Sequence, residues 1–178
     1  MGLEFAQSCI AQIPDYPAPG VIFKDVTPIA ANSVALASVL DAIAGHFNDQ
    51  NITHIAGIEA RGFIFGAALA AHLGIGFIPI RKSGKLPRET HRREYALEYG
   101  VDAIEIHTDA VGKGDRVLVI DDVLATGGTA CAAIELVEQC DATAVGLAVL
   151  LNLAFLGGAQ KVGAAFPSVD VFTVFPNA

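Results

Sequence analysis

The chain has 178 residues, 53% hydrophobic and 17% charged, a balance that suits one domain with a sizeable core and excludes a disordered or fibrous protein. A formal net charge of −8 argues against a general nucleic-acid-binding surface, and no apolar run reaches the roughly 18–20 residues that a membrane-spanning helix needs. Three widely spaced cysteines (Cys9, Cys131 and Cys140) and an N-terminus carrying Glu4 and Asp15 without a basic region point to a reducing cytoplasm, not to secretion, a disulfide framework or a zinc site.

In chain order, residues 33–48 place Leu36, Val39, Leu40, Ile43 and Phe47 at helical spacing, with Ser33 as the expected cap. Residues 53–58 form a short apolar strand, 62–74 a helix stopped by Gly74, and 77–82 another strand. The stretch SGKLPRETHRRE (83–94) has no apolar periodicity and is expected to be a mobile loop. Six of the 11 Lys and Arg residues fall between 81 and 93: Arg81, Lys82, Lys85, Arg88, Arg92 and Arg93. An acidic chain with one cationic segment is built to meet a small, highly charged anion. Alternating segments around Gly100 predict a hairpin within 95–107, followed by a buried strand (116–121), a helix (129–140) and a second buried strand (143–152). The resulting fold class is α/β, a parallel sheet with helices on both faces, whose ligands bind beyond the carboxyl ends of the strands. Residues 59–62 and 121–129 both begin there.

The second of these stretches carries the strongest chemistry. In VLVIDDVLATGGT, Asp121 and Asp122 end an oily strand and suit the vicinal hydroxyls of a ribose, since a carboxylate accepts two hydrogen bonds readily. Gly127 and Gly128 permit a tight turn, and the N–H groups from Ala125 through Thr126, Gly127 and Gly128 to Thr129 form an anion nest at a helix N-terminus. Neither G-x-x-x-x-G-K-[ST] nor G-x-G-x-x-G occurs in the chain.

This motif resembles the phosphoribosyl-pyrophosphate-binding motif of the type I phosphoribosyltransferases. IPDYPAPGVIFKDVTPI (13–29), IEARGFIFGAALA (58–70), IRKSGKLP (80–87) and LEYG (97–100) are similar, in order and spacing, to landmarks of the branch that acts on adenine. The resemblance covers about residues 10–155. It implies a single type I phosphoribosyltransferase domain (1–178), with a small N-terminal hood over the base at about 1–32 and an active-site loop at about 83–94. It also implies purine salvage, in which the phosphoribosyl group passes to N9 of adenine to give AMP and pyrophosphate. Mg2+ would be held mainly by the substrate, the assembly would be a homodimer, and neither nucleic acid nor a membrane would be a partner.

Carried over residue by residue, the resemblance assigns Glu59, Ala60, Arg61, Arg81, Lys82 and Lys85 to pyrophosphate, with Arg61 and Lys82 also counted as catalytic. It gives Phe23 the stacking role and the main chain of Ile22 and Lys24 the reading of the adenine amino edge. Glu98 becomes the acid that exchanges a proton with the base, and Tyr99 helps to seat the loop. Lys24 stands where Arg is common, and Arg92 and Arg93 are departures within the loop. Two rivals share the sugar-phosphate motif: a transferase for xanthine, hypoxanthine or orotate, and a ligand-sensing regulator that binds nucleic acid. The charge of −8 and the lack of a spare segment for a DNA-binding module count against the second.

Overall fold

The computed structural model describes residues 2–96 and 100–176. Helix α1 (Leu3–Ser8) leads into the strands β1 (Ala11–Pro14) and β2 (Ile22–Asp25), followed by α2 (Thr27–Ala30) and α3 (Ser33–His46). Then come β3 (His54–Ile58), α4 (Gly62–Leu73), β4 (Gly76–Lys82), β5 (Thr90–Ala96), β6 (Val101–His107) and β7 (Arg116–Leu124). The chain continues through α5 (Gly128–Gln139), β8 (Thr143–Asn152), α6 (Gly158–Ala165) and β9 (Asp170–Thr173).

Among the described residues, the main sheet has the order β5-β6-β4-β3-β7-β8-β9. Strands β4, β3, β7, β8 and β9 run parallel, while β6 and β5 are antiparallel at one edge. The expected parallel sheet is thus extended by the hairpin anticipated around Gly100. Its strands alternate between two buried faces. Ala56, Ile58, Val117, Val119, Leu147 and Val149 pack on one side with Ala133, Ile134 and Val137 of α5. Ile55, Leu118, Ile120, Ala148 and Leu150 pack on the other with Val39 and Ile43 of α3 and Phe65 and Leu69 of α4.

Two expectations need correction. The cap of α3 is Asn32, not Ser33: its side chain accepts hydrogen bonds from the N–H groups of Val34 (3.0 Å) and Ala35 (3.1 Å). The loop expected over 83–94 ends at residue 89, because Thr90–Ala96 pairs along β6 as the sheet's edge. That strand looked like loop because one of its faces is solvated, leaving Tyr95 as its buried apolar residue. Helix α4 does end at Gly74, whose φ of +68° is the left-handed conformation that closes helices.

The segment before residue 32 divides into two parts. Helix α1 packs on α3, and its Ala6 is fully buried in the second core cluster. Strands β1 and β2 form a separate antiparallel hairpin within the segment expected to be a hood.

Candidate active site

Strands β3 and β7 are adjacent and parallel, so the turns that follow them emerge side by side. After β3, the chain passes through Glu59, Ala60 and Arg61 into α4, and the Glu59–Ala60 peptide is cis. After β7, it passes through Ala125–Gly127 into α5.

The turn after β7 is packed tightly from behind. Gly127 has φ +78°, and a Cβ on it would lie 2.8 Å from the carbonyl oxygen of Gly158. A Cβ on Gly158 would in turn lie 2.2 Å from the Ala125 carbonyl oxygen. The start of α6 therefore fits against residues 125–127 only as glycine. In front of the turn lies a recess of about 70 Å³, lined by Asp121, Ala125, Thr126, Gly127 and Thr129 among others. The first N–H groups of α5 have no partner within the helix, so this end of it favours an anion.

Asp121, Ala125 and Thr129 also border a second cavity of about 370 Å³, which reaches Glu59, Ala60, Arg61, Lys82 and Tyr95. Asp122 is buried and paired with the guanidinium Nε of Arg61. Burial holds the Asp121 carboxyl well above the usual carboxylate range, and the charge of Asp122 pushes in the same direction. The Oδ1 atom of Asp121 accepts a hydrogen bond from the Asp122 N–H at 2.8 Å, fixing the pair as a unit.

Lys82 Nζ pairs with Asp102 and lies 2.9 Å from the Tyr95 hydroxyl. Burial opposes its charge, but the bonds it donates to Asp102 and Tyr95 outweigh that and hold its pKa above the ordinary lysine value. Lys82 is accordingly a permanent cation on the cavity wall. The Arg81 guanidinium grips Glu59 through Nε (3.2 Å) and Nη2 (3.1 Å) and lowers the Glu59 pKa. Its Nη1 donates to the Lys85 carbonyl at 3.1 Å, so Arg81 braces the wall from outside the cavity.

Lys85 sits on the 83–89 loop, rooted by a buried carboxylate. Glu105, 7% exposed, accepts hydrogen bonds from Ser83 Oγ (2.6 Å) and the Gly84 N–H (3.0 Å). Tyr95, Asp102 and Glu105 were missed in the sequence. Their signal was hairpin register, which pairs Tyr95 with Asp102 and sets Glu105 opposite Arg81 on β4. Glu98 and Tyr99, picked from LEYG, lie outside the described residues.

A third cavity, of about 490 Å³, lies under the hood between residues 20–24 and the end of β8, bounded by Leu151, Leu153 and Phe155. The Phe23 ring packs edge-on against Tyr16 (centroids 5.4 Å apart), and the Arg61 guanidinium lies 5.7 Å from its centre. Val21 uses its carbonyl to accept from the Tyr16 N–H, and Pro14, opposite Ile22, has no N–H to give. Val123 borders all three cavities, so they lie around one point of the fold: one small and backbone-lined, one charged, one apolar.

A family model for the phosphoribosyl transferase domain matches residues 25–175, nearly the whole chain except the hood. Adenine phosphoribosyltransferase of Acidothermus cellulolyticus is 52% identical over 162 residues, 91% of this chain and 92% of that protein. The crystal structure of adenine phosphoribosyltransferase from Thermoanaerobacter pseudethanolicus superposes with a TM-score of 0.89 at 44% identity, covering 97% of this chain and 98% of that one. The Saccharomyces cerevisiae enzyme, crystallised with an imino-altritol bisphosphate and adenine, gives a TM-score of 0.87 at 39% identity, with 96% and 98% coverage. These relatives match over most of their length and of this chain's, and the chain belongs to the adenine phosphoribosyltransferases of the phosphoribosyltransferase family.

Proposed function

We propose that the protein transfers the phosphoribosyl group of 5-phosphoribosyl 1-pyrophosphate to N9 of adenine, a purine-salvage reaction. The C1–oxygen bond to pyrophosphate breaks with its electron pair leaving on the pyrophosphate. The C1–N9 bond forms, and the N9 proton is released. The observation that carries this reading is the meeting of three cavities around Val123, whose linings suit a phosphate, a charged pentose centre and a base.

In this reading, Ala125–Thr129 hold the 5′-phosphate, and Asp121 and Asp122 take the ribose hydroxyls. The turn Glu59–Arg61, together with Lys82 and Lys85, meets the pyrophosphate, with Arg81 bracing that wall through Glu59. Arg61 and Lys82 do the electrostatic part of catalysis, since negative charge grows on the leaving group as C1 becomes oxocarbenium-like. Phe23 stacks on the base, while Ile22 and Lys24 offer main-chain groups to its amino edge. A carbonyl facing the exocyclic amine penalises a base with an oxo group there, because two acceptors would then be opposed. Glu98 exchanges a proton with the base, and Tyr99 helps to seat the loop.

Mg2+ fits this donor set as a passenger of the substrate. Among the described residues, no group of three or more His, Cys, Asp or Glu side chains is arranged to hold a metal, and Glu59 and Asp122 are already paired with arginines. The substrate's pyrophosphate oxygens and water would hold the ion, which would supply charge neutralisation at the leaving group beside Arg61 and Lys82. The protein is further proposed to be a cytoplasmic homodimer. All three cysteines are free thiols, and among the described residues no helix is long and apolar enough to cross a membrane.

Incubating the protein with Mg2+, phosphoribosyl pyrophosphate and each nucleobase in turn tests the reading. AMP is expected from adenine, with little product from hypoxanthine, guanine, xanthine or orotate. Efficient use of one of those instead of adenine would contradict it. In the same assay Glu98→Gln is expected to lower kcat more than it raises the adenine KM, and equal changes would remove its proton-exchange role.

A further inference from the structure

The cation on the wall of the charged cavity is held at both ends. The main-chain N–H of Lys82 donates to Glu59 Oε2 at 3.0 Å, which fixes the residue where β4 ends. Its ammonium Nζ donates to the Tyr95 hydroxyl at 2.9 Å and to the Asp102 carboxylate. The two partners are themselves joined, because the Tyr95 hydroxyl donates to Asp102 Oδ2 at 3.1 Å. Asp102 is oriented in turn by the Ala103 N–H, which donates to its Oδ1 at 2.8 Å.

Sheet register brings the three side chains together. Lys82 stands opposite Ile104, so Asp102, two residues away along β6, is its diagonal neighbour on the same face. Tyr95 lies directly across from Asp102 on β5. Lysine is poorly suited to a precise contact unless it is held, because its charge rides on a flexible four-carbon stem. Here two of the three ammonium hydrogens are taken, one by each partner, and the third is left for the cavity that Lys82 lines. Asp102 stands behind Lys82, outside the lining of that cavity, while Tyr95 borders it from a buried position. The route from Asp102 to a substrate therefore runs through Lys82 and Tyr95.

We propose that Asp102 and Tyr95 are positioning residues: they hold the Lys82 ammonium so that its remaining N–H meets the pyrophosphate oxygens as the bond to C1 breaks. This deepens the functional reading above and rests on it. Negative charge grows on those oxygens in the transition state, so a cation already in place counts most there, and the loss of its support falls on kcat.

A double-substitution cycle on AMP formation tests this, read with radiolabelled adenine so that slow variants stay measurable. Asp102→Ala is expected to lower kcat about tenfold, the scale of one charged hydrogen bond. Tyr95→Phe, which keeps the buried ring and removes only the hydroxyl, is expected to lower it about threefold, and in both variants the adenine KM stays within about twofold. In a Lys82→Met background, which removes the charge and keeps most of the length, each substitution is expected to cost less than about twofold further. The same cost in both backgrounds would make the two residues supports of the hairpin and overturn the assignment, as would full activity of Asp102→Ala. If Lys82→Met itself keeps its kcat, the assignment falls while transfer to adenine stands. If the unsubstituted protein makes no AMP, the functional reading fails and takes the assignment with it.

Discussion

The two ends of the candidate site are built on opposite principles. At the nest, backbone does the work, with glycines at 127 and 158 packed so closely that a single methyl group has no room. At the hood, side chains from a two-stranded hairpin and a one-turn helix enclose about 490 Å³, seven times the recess at the nest, and several of them are half-exposed. A phosphate has one size and one charge pattern, so a rigid cradle suits it. A base must enter and leave past a rim, so room and apolar surface suit that end.

If that contrast holds, the largest effect comes from adding one methyl behind the nest. Gly158→Ala places a Cβ against the Ala125 carbonyl, and either the turn or α6 must shift. Turnover is expected to fall by at least about a hundredfold, since displacing a binding group by about an ångström costs that much. The adenine KM should change little. Full activity would mean that the nest is not a rigid cradle.

The paired acids, between the two ends, should split in stability while agreeing in function. Asp121→Asn and Asp122→Asn are each expected to lower kcat/KM for phosphoribosyl pyrophosphate by about tenfold to a hundredfold, the scale of one charged hydrogen bond. A carboxyl whose folded pKa is raised binds its proton more tightly when folded. Its contribution to stability therefore falls as pH climbs from about 4, the unfolded value, through the raised folded value. Asp121→Asn should accordingly raise the melting temperature, by a margin that widens above about pH 4. Asp122→Asn should lower it, because Arg61 loses its partner across a buried contact. Melting curves of both variants from pH 4 to 8 check the two signs, and equal shifts would refute the account of the pair.

The smallest effect belongs to the hood. Lys24 is proposed to read the base through its main chain, so Lys24→Ala should change the adenine KM by no more than about twofold, as for a surface substitution. A tenfold change would give its side chain a role in base recognition.

The same contrast explains what was legible in the sequence. Asp121, Asp122 and Gly127 could be found because the nest is local, a strand end, a turn and a helix start within nine residues. The buried strands and helix α4 announced themselves by periodicity, and Gly74 marked its end. Gly158 was silent because its meaning lies in a contact with a turn some 30 residues away. Tyr95 and Asp102, partners of Lys82, depended on hairpin register, and the solvated face of β5 hid the strand that sets it. Helix α6 and the edge strand β9 are short and weakly patterned, and their places come from packing, β9 beside β8 and α6 against α5 and β9. The hood residues were assigned through family resemblance alone, since a half-buried aromatic beside a proline-rich stretch carries no chemistry of its own.

The central claim is that one nucleotide lies across the three cavities with its phosphate in the nest. A crystal structure of the AMP complex tests it most directly. The 5′-phosphate oxygens are expected within about 3 Å of N–H groups in residues 126–129, with the adenine ring against Phe23. A phosphate held instead by the Arg81–Lys85 wall, with the 125–129 turn unfilled, would contradict it.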